Sequence, residues 1–118
     1  MHAVASKLVE IQTQLRFFHW QTKSYARHQA YGMVYDEMDG LIDSFVESMM
    51  GKYGRVPALP INILNRNEKD ITSFIDETIM YLIGLSNTFD SVKDSDLLNT
   101  RDEMLGLFNK LRYLLTLK

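Results

Sequence analysis

The sequence contains no cysteine, which excludes disulfides, thiolate zinc sites and cysteine nucleophiles and fits a reducing compartment. It has only two prolines, Pro57 and Pro60, close together near the middle, so long proline-free stretches on either side favour helices. It also lacks an excess of positive charge. The 13 Lys+Arg stand against 15 Asp+Glu for a net charge of -2, which removes the usual electrostatic route to nucleic acid. No apolar run approaches the roughly 20 residues needed to cross a bilayer, and residues 1–20 carry no apolar core with a small-residue cleavage site. No phosphate-cradling glycine loop, GxSxG elbow or HExxH is present. What remains is a chain of 118 residues, 46% hydrophobic and 24% charged, of globular composition and of a length that suits one core. The expectation is a single soluble cytoplasmic domain (1–118) with neither nucleic acid nor membrane as partner.

Apolar residues recur at helical spacing rather than alternating. Val4, Leu8, Ile11, Leu15 and Phe18 form one stripe and predict a first helix over about 2–22. Ser24 is a fitting N-cap for a second helix, which runs on Val34, Met38, Leu41, Ile42, Phe45 and Met49 until Gly51 and Gly54 stop it. Asn67 and Asp70 resemble a capping box opening a third helix that extends to about residue 90 on Ile71, Phe74, Ile75, Ile79, Leu82, Ile83 and Phe89. After VKDSD, Leu97, Leu98, Met104, Leu105, Phe108, Leu111 and Leu115 predict a fourth helix over about 95–117. The fold class is therefore all-α, a four-helix bundle. The connection over 55–66 is long enough either to cross the bundle end or to return along it, and length alone leaves both open.

Few residues carry chemistry. Gly32, Asp36, Asp39, Gly40, Asp43 and Glu47 lie within about 60° of Asp36 on a helical wheel, with His28 at the margin. Such a stripe opposite an apolar face is ordinarily solvated surface, and His19 beside Trp20 is ordinarily a half-buried histidine. The seven methionines suit gap-filling in the core. Against this, His19 and His28 flank one turn, whereas Asp43 lies about 22 Å further along a straight helix. One chain cannot gather them around one ion; two chains can. If two copies of the second helix pack antiparallel about residue 36, His28 comes level with Asp43 of the other copy and Gly32 falls opposite Gly40. Imidazole with carboxylate suits iron or zinc.

The stretch LRFFHWQTKSYARHQAYGMVYDEMDGLIDSFVESMMGKYG resembles the first helical hairpin of the Dps-like mini-ferritins. It has an HW pair late in one helix, a His early in the next, a YDE tripeptide, and an Asp and Glu four residues apart. LLNTRDEMLGLFNKLRYLL looks like that family's last bundle helix. The resemblance implies a ferritin-like bundle that oxidises Fe(II) with peroxide or oxygen at sites shared between subunits and stores the product in a dodecameric shell. It implies as metal ligands His19 and His28 from one subunit and Asp43 and Glu47 from its partner, with Trp20 beside them. The partner is a second copy, joined as a homodimer through the second helix.

The sequence departs from that family at Gly32, where an Asp is usual, in the short turn between the histidines, and in its length. DNA binding, known for some members, finds no support here. These departures favour an alternative: a non-catalytic helical interaction or structural protein that keeps the bundle and the dimer without the activity. A ferritin-type centre inside one bundle would want two ExxH motifs, and none is present.

Overall fold

A computed structural model describes residues 1–117. Four helices make up the architecture: α1 (Val4–Gln21), α2 (Tyr25–Tyr53), α3 (Ile71–Gly84) and α4 (Ser95–Leu114). No strand occurs among the described residues. The all-helical bundle expected from the apolar periodicity is observed. Every member of the first predicted stripe, Val4 to Phe18, is buried, as are Val34, Met38, Ile42, Phe45 and Met49 of α2. At 29 residues and about 1.5 Å per residue, α2 spans the whole 42 Å length of the molecule.

The helix ends follow local chemistry. Ser24 accepts a hydrogen bond from the Arg27 backbone N–H at 3.3 Å and so caps α2. Gly54 ends it at φ 89°, a conformation that a Cβ would strain. The Asn67/Asp70 capping box forms, but it opens a 3-10 turn (Glu68–Asp70) before α3 begins. The third helix also stops at Gly84 rather than near residue 90 and tightens into a second 3-10 turn (Leu85–Asn87). Beyond that turn the Asp90 carboxylate accepts the Val92 and Lys93 backbone N–H groups and turns the chain toward α4. Phe89 still reaches the core, edge-on to Phe45 at 5.7 Å, so its apolar character was read correctly and its helical state was not. Ile83 lies half exposed instead of in the core.

The connection between α2 and α3 settles the topology. It runs as an extended strap in the same direction as α1. The Leu59 N–H meets the Ser6 hydroxyl at 2.9 Å, the Asn62 N–H meets Glu10 at 2.8 Å, and the Leu64 N–H meets Gln14 at 2.9 Å. At its end Glu68 accepts from the hydroxyls of Thr22 and Tyr31. The strap thus climbs the full bundle, leaving α2 and α3 parallel, α1 and α4 antiparallel to them, and one long crossover in the chain.

Two buried charges tie the helices together at the end of the bundle where α2 and α3 stop and α4 starts. Asp94 is 2% exposed. It accepts from the Tyr53 hydroxyl and from the Asp90 backbone N–H, with Lys52 at 3.5 Å, which ties the end of α2 to the start of α4. Arg101 of α4 donates to the Leu82 carbonyl and the Ser86 hydroxyl, both at 2.9 Å, placing a cation at the negative end of α3.

Candidate functional site

The turn joining α1 to α2 brings the two histidines face to face. Their rings stack with centroids 3.8 Å apart and planes 16° from parallel. Each Nδ1 lies 2.8 Å from the other residue's main-chain oxygen. A carbonyl can only accept, so both Nδ1 atoms carry the proton and donate, and Nε2 is the free nitrogen of each ring when neutral. His19 sits in the last turn of α1, where carbonyls have no intrahelical partner. The His28 imidazole therefore caps α1 from the neighbouring helix, and the His19 imidazole returns the contact to α2.

Gly32 makes this possible. It lies one turn beyond His28, and its bare Cα faces the His19 ring. The position that lacks the expected carboxylate is thus occupied by the chain's own imidazole. The close approach that Gly32 permits is with His19 of the same chain, whereas Gly40 faces open space.

The pair lines a cleft of about 500 Å³ on the outer face of the hairpin, together with Arg16, Trp20, Tyr35 and Asp36. The Arg16 guanidinium lies 4.1 Å from the centre of the Tyr35 ring and 5.4 Å from that of Trp20, a cation held by π faces. No carboxylate among the described residues comes within ion-pairing distance of it. Sequence reasoning did not single out Arg16, and it met Tyr35 only as part of the YDE tripeptide. The spacing of four between Arg16 and Trp20 was the one available signal for Arg16, and Tyr35 joins only through the packing of α2 on α1.

Of the four expected ligands, the fold brings His19 and His28 together. Asp43 and Glu47 project from the exposed face of α2, about 22 Å and about 28 Å beyond His28 along an unbroken helix. Asp36 and Asp39 are exposed as well, and Asp39 accepts from the Gln12 amide at 3.1 Å. Among the described residues no group of three or more His, Asp or Glu side chains is placed to hold a metal ion. No helix among them is long and apolar enough to cross a membrane.

Comparison with known proteins identifies different relatives from those the hairpin suggested. A family described as a family of unknown function (DUF5856) matches residues 19–115. An uncharacterized 14.6 kDa protein from the mobD-ri intergenic region of Enterobacteria phage T4 is 32% identical over 111 residues, covering 94% of this chain and 84% of that protein. No solved structure matches. The resemblance to Dps-like mini-ferritins is therefore corrected. The HW pair and the spaced acidic residues that carried it have, in part, a local cause: His19 and His28 form a hairpin clamp, and Asp43 and Glu47 occupy a solvated helix face.

Proposed function

The chain belongs to the family of unknown function (DUF5856), and from that premise we propose that it acts as a non-catalytic helical-bundle interaction protein, self-associating through the outer face of α2. The observation that carries this reading is the reciprocal histidine clamp. The side chains best suited to catalysis hold the hairpin closed, and beside them the surface presents Trp20 and Tyr25, 59% and 76% exposed. Aromatic residues and arginine are enriched where proteins meet. Charge supports the choice of partner. In an antiparallel pairing of two α2 helices, the exposed Asp43 and Glu47 of one copy approach the cleft that holds the unpaired Arg16 of the other. The single long crossover supports a ferritin-like connectivity for the bundle, with no tie to iron.

Light scattering on the purified protein tests the proposal. The expected mass is that of a dimer, with Arg16→Glu giving monomer and Arg16→Glu/Asp43→Arg restoring the dimer. A wild-type monomer at all accessible concentrations overturns it.

A second reading has one observation in its favour. Imidazoles that bind metals commonly donate the other ring N–H to a carbonyl, and both histidines do this. In that reading Nε2 of His19 and His28, with Asp43 and Glu47 of a second copy, would hold zinc or iron. Anaerobic Zn(II) and Fe(II) titration, followed by peroxide, separates the two. Saturable binding that is lost in both His28→Ala and Asp43→Ala favours the metal site, and no binding favours the clamp.

A further inference from the structure

The cleft beside the histidine clamp is lined by groups whose hydrogen-bonding capacity the fold leaves unused. Arg16 is half buried, and the rings of Tyr35 and Trp20 hold its guanidinium by their π faces rather than by an acceptor atom. Among the described residues no carboxylate pairs with it. Each imidazole has committed Nδ1 to a carbonyl, which leaves Nε2 of the neutral ring as an acceptor. Among the described residues no polar atom of a buried or half-buried side chain is both unpartnered and sealed from solvent. The guanidinium and both Nε2 atoms are therefore open to solvent, and all three residues line the cleft.

An arginine without an acidic partner is matched by phosphate or carboxylate oxygens, which its parallel N–H groups meet two at a time. The other walls narrow the class. Asp36 and the neutral imidazoles accept hydrogen bonds and offer none. A bare oxyanion would satisfy Arg16 but turn its own lone pairs toward these acceptors. An anionic group attached to a body with hydroxyl donors satisfies both. Phosphate is a better match than carboxylate, because it has oxygens to spare for the Gln29 amide, a further donor on the wall. Trp20, 59% exposed, adds an apolar face. The volume of about 500 Å³ belongs with small-molecule clefts rather than with a lone ion.

We propose that this cleft binds a small hydroxylated phosphate ester of the sugar-phosphate class. The phosphate sits on Arg16, and the hydroxyls donate to Nε2 of His19 and His28 and to Asp36. The site goes beyond the self-association reading and does not depend on it. The two meet at Arg16, where a bound phosphate would displace Asp43 and Glu47 of a second copy. Asp43→Arg separates them, since that reading makes it monomeric while every wall of the cleft stays unchanged.

The probe is ribose 5-phosphate, titrated into the full chain and followed by the indole N–H resonance of Trp20, the one tryptophan. Inorganic phosphate and ribose are titrated in parallel. The ester is expected to shift the resonance saturably, phosphate to bind about tenfold more weakly or worse, and ribose not to bind. Arg16→Gln should weaken the ester by about tenfold or more, and Arg16→Lys, which keeps the charge but loses the fork, by a smaller factor. Asp43→Arg should bind at least as tightly as wild type. No saturable shift at millimolar ester, binding of ribose alone, or unchanged affinity in both Arg16 variants overturns the site. Phosphate bound as tightly as the ester overturns the assignment of the hydroxyls. A dimer that binds no ester sinks only this site, and a monomer that binds it sinks only the dimer.

Discussion

The space left by the missing side chain of Gly32 is filled by the imidazole of His19: a Cβ at position 32 would lie 2.9 Å from Cε1 and 3.2 Å from Nδ1 of that ring. Because Nδ1 is anchored to the His28 carbonyl, the ring cannot swing aside without losing its hydrogen bond. Glycine inside a helix costs about 1 kcal/mol relative to alanine, so this residue has a cost that the clamp offsets.

Two alanine substitutions on the same helix should consequently diverge. Gly40→Ala meets nothing within 4 Å and should stabilise the protein by about 0.5–1 kcal/mol. Gly32→Ala gains the same helix propensity but displaces His19, losing a hydrogen bond worth about 0.5–1.5 kcal/mol and the stacked contact. Its net effect should be zero or destabilising. Urea denaturation of the two variants decides, and equal stabilisation by both would show that the His19 contact is dispensable.

The clamp should behave as one unit. His19→Ala and His28→Ala each break a reciprocal bond and the stack, and each should cost about 1–2 kcal/mol. The double variant should cost clearly less than their sum, because the second removal finds the stack already gone. Strict additivity in the thermodynamic cycle would mean that the rings act independently.

Arg101 is expected to be among the most sensitive charged positions. Replacing it with Ala strips the Leu82 carbonyl and the Ser86 hydroxyl of a charged donor and should cost about 2–3 kcal/mol. Lysine should rescue only part, since an ammonium cannot reproduce the planar fork. Full rescue in a thermal melt would argue that charge alone matters there.

Acid should weaken the fold through the α2–α4 corner. Asp94 is held below the ordinary carboxylate range, chiefly by the Tyr53 hydroxyl. Asp90 is lowered by the Lys93 and Val92 backbone N–H groups, Asp96 by Lys52, and Glu10 by Lys7. Groups with depressed folded values contribute fully above about pH 4 and lose that contribution as pH falls through the folded value. Stability should therefore decline below about pH 4, and Asp94→Asn should be less stable at neutral pH with a shallower acid limb. An unchanged acid limb would exclude Asp94 as a contributor.

Alkali should act with the opposite sign. Burial and the Glu68 carboxylate push the Tyr31 phenol up, and burial raises Tyr81 to about 12. Raised values favour the protonated form in the folded chain, so their contribution is complete below about pH 10 and is lost as pH climbs further. Tyrosinate absorbance should contain a component with a midpoint near 12 that Tyr81→Phe removes. Its persistence in that variant would assign it elsewhere.

Most of the fold follows from sequence alone, because its signals are local. The spacing of Val4, Leu8, Ile11, Leu15 and Phe18 makes a helix face wherever the chain goes, and Ser24 and Gly54 end helices by contacts with their own neighbours. Sequence also placed His19 and His28 at one end of the bundle, since both flank the short turn between the first two helices, which is three residues long (22–24). Tertiary structure decided what those histidines do. Their bonds to each other's carbonyls, the fit of His19 on Gly32, the stacking of Arg16 on Tyr35 and the seating of the strap on Ser6, Glu10 and Gln14 all join residues from separate elements. Such contacts depend on how helices are rotated and packed, and periodicity along one helix carries no record of the neighbour it will meet.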